Sequence, residues 1–258
     1  MLLNYLPMIV RAIKTRKFLP PQDELSDLLS SIKSLKEKSV VAITSKVVSI
    51  AEGRCVSVDS VDKDEIAISE ADFYLPREVS SGSRILNTIK NNLLVASSGI
   101  DESNGNDYYI LWPKNPDKSA KKIWDLLRRK FKIKNLGVII TDSRLIPLRR
   151  GVVGLAISYF GFNPIKDYRG KEDIFGRKFV METSNFPDSL ASAAVLEMGE
   201  GSEQKPIAII SQIPDIEFIE EEFKSTPDNS FKIPLKEDMF SPFLTSVKWN
   251  KGGSGKNQ

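Results

Sequence analysis

Two uninterrupted apolar runs constrain this chain more than any other feature. Leu93-Leu94-Val95-Ala96 precedes Gly99-Ile100-Asp101-Glu102-Ser103-Asn104, and Leu136-Gly137-Val138-Ile139-Ile140 leads into Thr141-Asp142-Ser143-Arg144. A short run rich in β-branched residues and closed by polar turn residues reads as a buried strand whose end reaches a site. Each end carries an aspartate beside hydroxyl or amide oxygens. Brought together, two such ends make an all-oxygen nest for a hard cation such as Mg²⁺ or Mn²⁺. Taken singly, Asp101 and Asp142 also suit turn or cap positions, where Asp is common. The pair favours the cation site.

Composition narrows the chemistry. The 258 residues contain no histidine and one cysteine. Ser-His-Asp and Cys-His triads, Cys/His zinc sites and an imidazole base are therefore excluded. Acid–base and metal work falls to Asp, Glu, Lys, Arg, Tyr and hydroxyls. Cys55 alone cannot form an internal disulfide, and it reads as a small hydrophobe beside a strand. An apolar fraction of 41% and a charged fraction of 28% suit a soluble globular protein. No apolar stretch is long enough to span a bilayer and no signal peptide is evident, so the expected place is the cytoplasm, away from membranes. A net charge of +3 gives no nucleic-acid partner by itself.

Further along, Met8 to Ile13 and Val40 to Ile43 read as strands, and Leu25, Leu28, Leu29, Ile32 and Leu35 recur at helical spacing. Asp62 to Phe73 suggests an acidic helix. Asn91-Asn92 suggests a hairpin pairing Ile85–Ile89 with Leu93–Ala96. A helix from Asn115-Pro116 to about Lys130 carries Ile123, Leu126, Leu127 and Phe131 on one face. Its basic residues make either a solvated face or an attractor for anions. A small-residue helix runs from Asp188 to Met198, closed by Gly199, and Pro206–Ile210 follows as a strand. From Pro214 the pattern loosens, and Lys251-Gly252-Gly253-Ser254-Gly255-Lys256 reads as a flexible end.

Several blocks then appear in order: Ser45-Lys46-Val47-Val48-Ser49 with Ala51-Glu52-Gly53-Arg54; Gly99 to Asn104; Pro116-Asp117 with Ser119-Ala120; Thr141-Asp142-Ser143; Asp167-Tyr168-Arg169-Gly170 with Asp173 and Gly176-Arg177; and Asp188-Ser189-Leu190-Ala191 to Met198-Gly199-Glu200. Over roughly residues 9–213 the chain resembles the coenzyme F(420)-0 γ-glutamyl ligase family. Ser143–Gly151 and the tail after Pro214 look closer to a bacterial branch of γ-glutamate ligases assigned to folate metabolism.

The resemblance implies an α+β fold of mixed sheets in a two-part body over residues 9–213, an extension over 214–247 packed on it, and a flexible tail over 248–258. It implies a homodimer and a GTP-dependent ligation. GTP phosphorylates the acceptor's carboxylate, and the amine of L-glutamate displaces phosphate to leave an amide. By resemblance, Asp101, Asp142, Ser143 and Glu200 are the ligands for Mg²⁺ or Mn²⁺, with Ser143 replacing a usual threonine. Ser45, Lys46, Asn104, Met198, Gly199 and Gly201 fall on nucleotide contacts. Arg149, Arg169 and Arg177 are candidate clamps for carboxylates and phosphates, because a guanidinium fork matches both.

Some positions depart from the family. A nucleotide-touching lysine is replaced by Ile50, an N-terminal nucleotide contact by Arg16-Lys17-Phe18-Leu19, and a Gly-Arg-Pro-Trp-Arg run by Leu145-Ile146-Pro147-Leu148-Arg149. The last change favours a folate-type acceptor over F(420)-0. The rival readings are a catalytically silent nucleotide- or pterin-binding module, and a basic nucleic-acid binder that lacks the interleaved aromatics stacking requires.

Overall fold

Val40–Ile43 and Leu136–Ile140 carry no polar side chain, so both faces of these strands need cover. The computed structural model, which describes residues 7–79, 85–219 and 231–254, covers both. Its elements are β1 (Ile9–Ile13), α1 (Leu25–Ser30), β2 (Ser39–Thr44), α2 (Ser45–Ala51), β3 (Cys55–Ser57), α3 (Lys63–Glu70), β4 (Phe73–Tyr74), β5 (Asn87–Lys90), β6 (Leu93–Ala96) and β7 (Tyr108–Ile110). They continue with α4 (Pro116–Phe131), β8 (Leu136–Leu145), β9 (Val152–Phe160), β10 (Ile165–Asp167), β11 (Thr183–Asn185), α5 (Phe186–Met198), β12 (Ile207–Ser211), α6 (Ser241–Leu244) and β13 (Asn250–Lys251).

β2 and β8 run parallel within a five-stranded sheet of order β1-β12-β2-β8-β9, whose other pairings are antiparallel. With smaller sheets of order β13-β4-β5-β6, β3-β7 and β10-β11, the fold is α+β. Strand alternation splits the apolar residues between two faces. Val41, Ile43, Val138 and Ile140 meet α1 and α4 on one side; Val40, Ala42, Ile139 and Ala208 meet α5 on the other. The Asn91-Asn92 turn has φ of 51° and 60°, the left-handed pair that a tight hairpin between β5 and β6 requires.

α4 begins as its sequence directs. Asn115 accepts the Lys118 N–H at 3.0 Å, Pro116 sits in the first turn, and Arg128, Arg129 and Lys130 lie beside the C-terminal carbonyls. Lys118, Lys121, Lys122, Arg129 and Lys130 are exposed, and none lines the large cavity described below, so the basic residues form a solvated face. Lys130 also explains where α1 stops. The helical spacing extends to Leu35, yet α1 ends at Ser30, because the chain tightens there and the Lys130 ammonium donates to the Leu29 and Ile32 carbonyls at 2.7 and 3.2 Å. Ile32 and Leu35 stay buried without being helical.

Three further differences matter. Thr141-Asp142-Ser143-Arg144 is no turn, since β8 continues past a bulge at Ile140/Thr141 to Leu145. Its partner β9 is not expected from pattern, because Gly154 and Ser158 interrupt the apolar run. Lys251–Ser254, expected as a flexible end, is paired instead. Asn250 and Lys251 lie opposite Tyr74 and Phe73, and Gly252 donates to the Asp72 carbonyl at 3.0 Å. A Cβ on Gly252 would sit 2.3 Å from the Ala71 carbonyl oxygen, so glycine is what permits this approach. Residues 220–230 of the expected extension and 255–258 of the expected tail lie outside the described residues. Among the described residues, no helix is long and apolar enough to cross a membrane.

Candidate functional site

β2 ends at Thr44 and hands the chain directly to α2, whereas β8 runs on. Past Thr141, β8 therefore keeps β9 on one edge and leaves the edge formerly lined by β2 open. A cavity of about 890 Å³ spreads over that edge. Distant stretches of chain converge on it: Lys46, the Asp101–Asn104 loop, Asp142–Leu145, and Met198–Pro206.

Asp142 and Ser143 leave opposite faces of β8. Ser143 lies opposite Gly154, where an added Cβ would come within 2.6 Å of the Ala191 carbonyl and Val195 on α5. Ser143 thus faces the α5 side, and its Oγ donates to Glu200 Oε1 at 2.6 Å, just beyond the end of that helix. Asp142 faces the other side, where its Oδ2 accepts the indole N–H of Trp112 and its Oδ1 accepts the Ser143 N–H at 2.8 Å. Asp101 binds the Ser103 N–H and Oγ through Oδ1 at 2.8 and 2.7 Å, and Lys46 Nζ through Oδ2 at 2.7 Å. Asn104 Nδ2 donates to the Gly201 carbonyl at 3.1 Å, clasping two walls of the cavity together.

The surroundings shift the two aspartates in opposite directions. Burial pushes Asp101 up, but the Lys46 ammonium and the Ser103 donors outweigh it, so its carboxyl lies below the usual range. For Asp142 burial dominates: the Trp112 and Ser143 donors and Lys46 only partly offset it, Asp101's charge adds to it, and the carboxyl is pushed up to about 7. The native state then holds a proton that the unfolded chain releases, so stability falls as pH rises from about 4 to about 7 and levels off above. With no histidine in the chain, no imidazole titration obscures that window. Thermal melts in chelator should show Tm declining between pH 5 and 7, and Asp142→Asn should remove that slope. An unchanged slope in the variant would show that Asp142 is not its source.

The donor set suits a hard cation. Asp101, Asp142, Ser143 and Glu200 offer oxygen alone, and the positive charge beside Asp101 comes from Lys46. Among the described residues, no three carboxylates are already gathered into a metal-holding group. A cation would have to take Lys46's place on Asp101.

The cavity also sorts the other expected residues. Met198, Gly199 and Gly201 line it with Lys46 and Asn104, while Ser45 is buried at the start of α2 and does not. Arg149, Arg169 and Arg177 do not line it either. Arg149 is exposed and donates to the Leu148 carbonyl, Arg169 is paired with Asp167 at 2.7 Å, and the Arg177 N–H binds Asp173 Oδ1 in an exposed loop. Unexpected on its wall are Arg144 and Glu203, which accepts the Gly201 N–H at 2.8 Å; Trp112, buried behind the wall, donates to Asp142.

Fold and cavity together define an α+β protein in which oxygen ligands and cationic side chains share a large cleft, a surface suited to anionic substrates. The sequence profile of the family "F420-0:Gamma-glutamyl ligase" matches residues 13–212. A "Coenzyme F420:L-glutamate ligase" from Methanopyrus kandleri is 35% identical over 216 residues, covering 78% of this chain and 85% of the relative. Proteins with the same name from Methanocaldococcus jannaschii and Methanococcus maripaludis are 31% and 34% identical, covering 73% and 74% of this chain and 81% and 82% of their own length. The chain belongs to the F420-0:γ-glutamyl ligase family. With that membership comes its reaction class, amide-forming ligation. These matches do not distinguish the folate-metabolism branch.

Proposed function

We propose that this chain joins the amine of L-glutamate to the carboxylate of an F(420)-0-type acceptor, using GTP and a divalent cation. The observation that carries this reading is the meeting of Lys46, Asp101, Asp142 and Glu200, distant in sequence, on one cleft. The acceptor follows the relatives' names. The folate alternative rests on the altered Leu145–Leu148 run, yet only Leu145 of it lines the cleft and Leu148 is 96% exposed, which weakens it. Mass spectrometry of products from F(420)-0 and tetrahydrofolate acceptors, each with GTP or ATP, glutamate and Mg²⁺, decides between them. Extension of folates alone would reverse the preference, and extension of neither would reject the ligase reading.

In the proposed reaction Asp101 and Asp142 hold one cation, and Ser143 with Glu200 a second. Bound there, such cations would neutralise phosphate charge during transfer of the γ-phosphoryl group to the acceptor carboxylate. Trp112 fixes the Asp142 carboxylate, and the Asn104–Gly201 clasp shapes the wall beside the nucleotide. Lys46, freed from Asp101, turns its ammonium to the phosphates and replaces the lysine missing at Ile50. The glutamate amine then attacks the acyl phosphate, leaving amide, GDP and phosphate.

Lys46→Ala should raise the GTP KM about tenfold without weakening cation binding, since Lys46 competes for Asp101. Steady-state kinetics and Mn²⁺ titration check both halves. An unchanged GTP KM would remove Lys46 from the nucleotide site.

The proposal includes a homodimer. Its support is the excursion between β9 and α5, where Ile174, Phe175 and Met181 are 91%, 84% and 81% exposed. Sedimentation should show a dimer for the native chain and a monomer for Phe175→Ser with Met181→Ser; a monomeric native chain would exclude it.

A further inference from the structure

Arg144 stands two residues past Asp142 in the regular part of β8, so it leaves the same face, roughly 7 Å further along the strand. It lines the cleft beside Leu145 and Val152. Its Nε is buried and, among the described residues, has no hydrogen-bond partner. A buried donor left unmade is costly, and native structures rarely keep one without a use.

Of the other cations on this wall, Lys17 is exposed to solvent and the rest are committed. Lys46 is held by Asp101, Arg16 by Asp23 and Asp27, and Lys205 lies 3.4 Å from the Glu197 carbonyl. Arg144 is a cation for which the described residues supply no counter-charge. Its planar fork, with Nε and an Nη donating in parallel, matches the two oxygens of a carboxylate. The apolar side chains beside it lower the local dielectric and strengthen such a pair.

The position relative to the reacting centre narrows the ligand. Nucleotide phosphates belong with the cation ligands and Lys46, whereas Arg144 lies one strand repeat beyond them. Both non-nucleotide substrates are carboxylates, and L-glutamate keeps its two close to the attacking amine. We propose that Arg144 is a specificity-determining residue that receives a carboxylate of these substrates through its guanidinium fork. This rests on the ligase reading above.

The test uses the full-length protein with Arg144→Met, which keeps length without charge, and Arg144→Lys, which keeps charge without the fork. L-glutamate and glutarate are titrated calorimetrically with GDP and Mg²⁺ present, and KM is measured for GTP, glutamate and acceptor separately. In Arg144→Met the affinity or KM for one carboxylate substrate should worsen roughly tenfold or more, with Arg144→Lys between it and wild type. The GTP KM and Tm should stay near wild type. The glutamate and acceptor arms identify which carboxylate is bound. A rise in the GTP KM alone, or no change in either carboxylate arm, overturns the proposal. If no acceptor is extended but wild type binds glutarate and Arg144→Met does not, the ligase reading falls while the carboxylate site stands. If wild type binds neither probe and the acceptor KM is insensitive to Arg144, the proposal falls.

Discussion

Asp142→Asn is expected to reduce turnover by roughly a thousandfold or more while the protein stays folded. The substitution keeps the side chain's shape and removes its charge. That charge is expensive where it sits: burial lifts the carboxyl to about 7, and the Trp112 and Ser143 donors recover only part of the cost. A site that holds an acid against this penalty, beside a second carboxylate, gains when a cation takes the place of the proton. Asp101 differs, because Lys46 already neutralises it. Asp101→Asn should also abolish turnover, and the double variant should be little worse than either single one, since both ligands serve one cation. Product formation measured by mass spectrometry, with Mn²⁺ affinity by calorimetry, reads the two effects separately. Full activity in Asp142→Asn at ordinary Mg²⁺ would remove Asp142 from the mechanism.

The parts of this molecule written into local sequence were legible. Val40–Ile43 and Leu136–Ile140 announced two central strands, Asn115-Pro116 the start of α4, Asn91-Asn92 a hairpin, and Gly199 the end of α5. Each depends on neighbours within a few residues. What stayed hidden depends on register. Asp142 looked like a turn because nothing local shows that β9 extends β8 to Leu145. Trp112 reads as one more core aromatic after Ile110 and Leu111, and its bond to Asp142 exists only once the strands are placed. Arg169 and Arg177 suit anion clamps by side-chain chemistry, but they lie in surface turns beside Gly170 and Gly176, where Arg169 is spent on Asp167. Nothing local marks Arg144, and only the open edge of β8 turns it toward the cleft.

Removing Glu70 should cost the fold about 3–5 kcal/mol, the range for taking one partner from a buried ion pair. Glu70 is 3% exposed at the end of α3; its Oε1 accepts from Arg54 at 2.7 Å and its Oε2 from Lys90 at 2.5 Å. Burial raises its carboxyl, yet the two cations more than reverse this and hold it below the usual range. Lys90, 7% exposed, is already pulled below the ordinary lysine value by burial, with Glu70 opposing. In Glu70→Ala that opposition is gone. The folded state then sheds the Lys90 proton more readily than the unfolded chain, so the variant should recover stability as pH rises from 7 toward 10. Lys90→Met added to Glu70→Ala should also restore part of the loss by removing the stranded charge. Because the Lys90 ammonium sits 5.5 Å over the Trp112 ring, the damage should reach the candidate site as a changed Trp112 emission. Urea unfolding at pH 7 and 9.5 measures the first two effects. A loss below about 1 kcal/mol at pH 7, or one that is the same at both pH values, would mean that the three charges do not act as a buried unit.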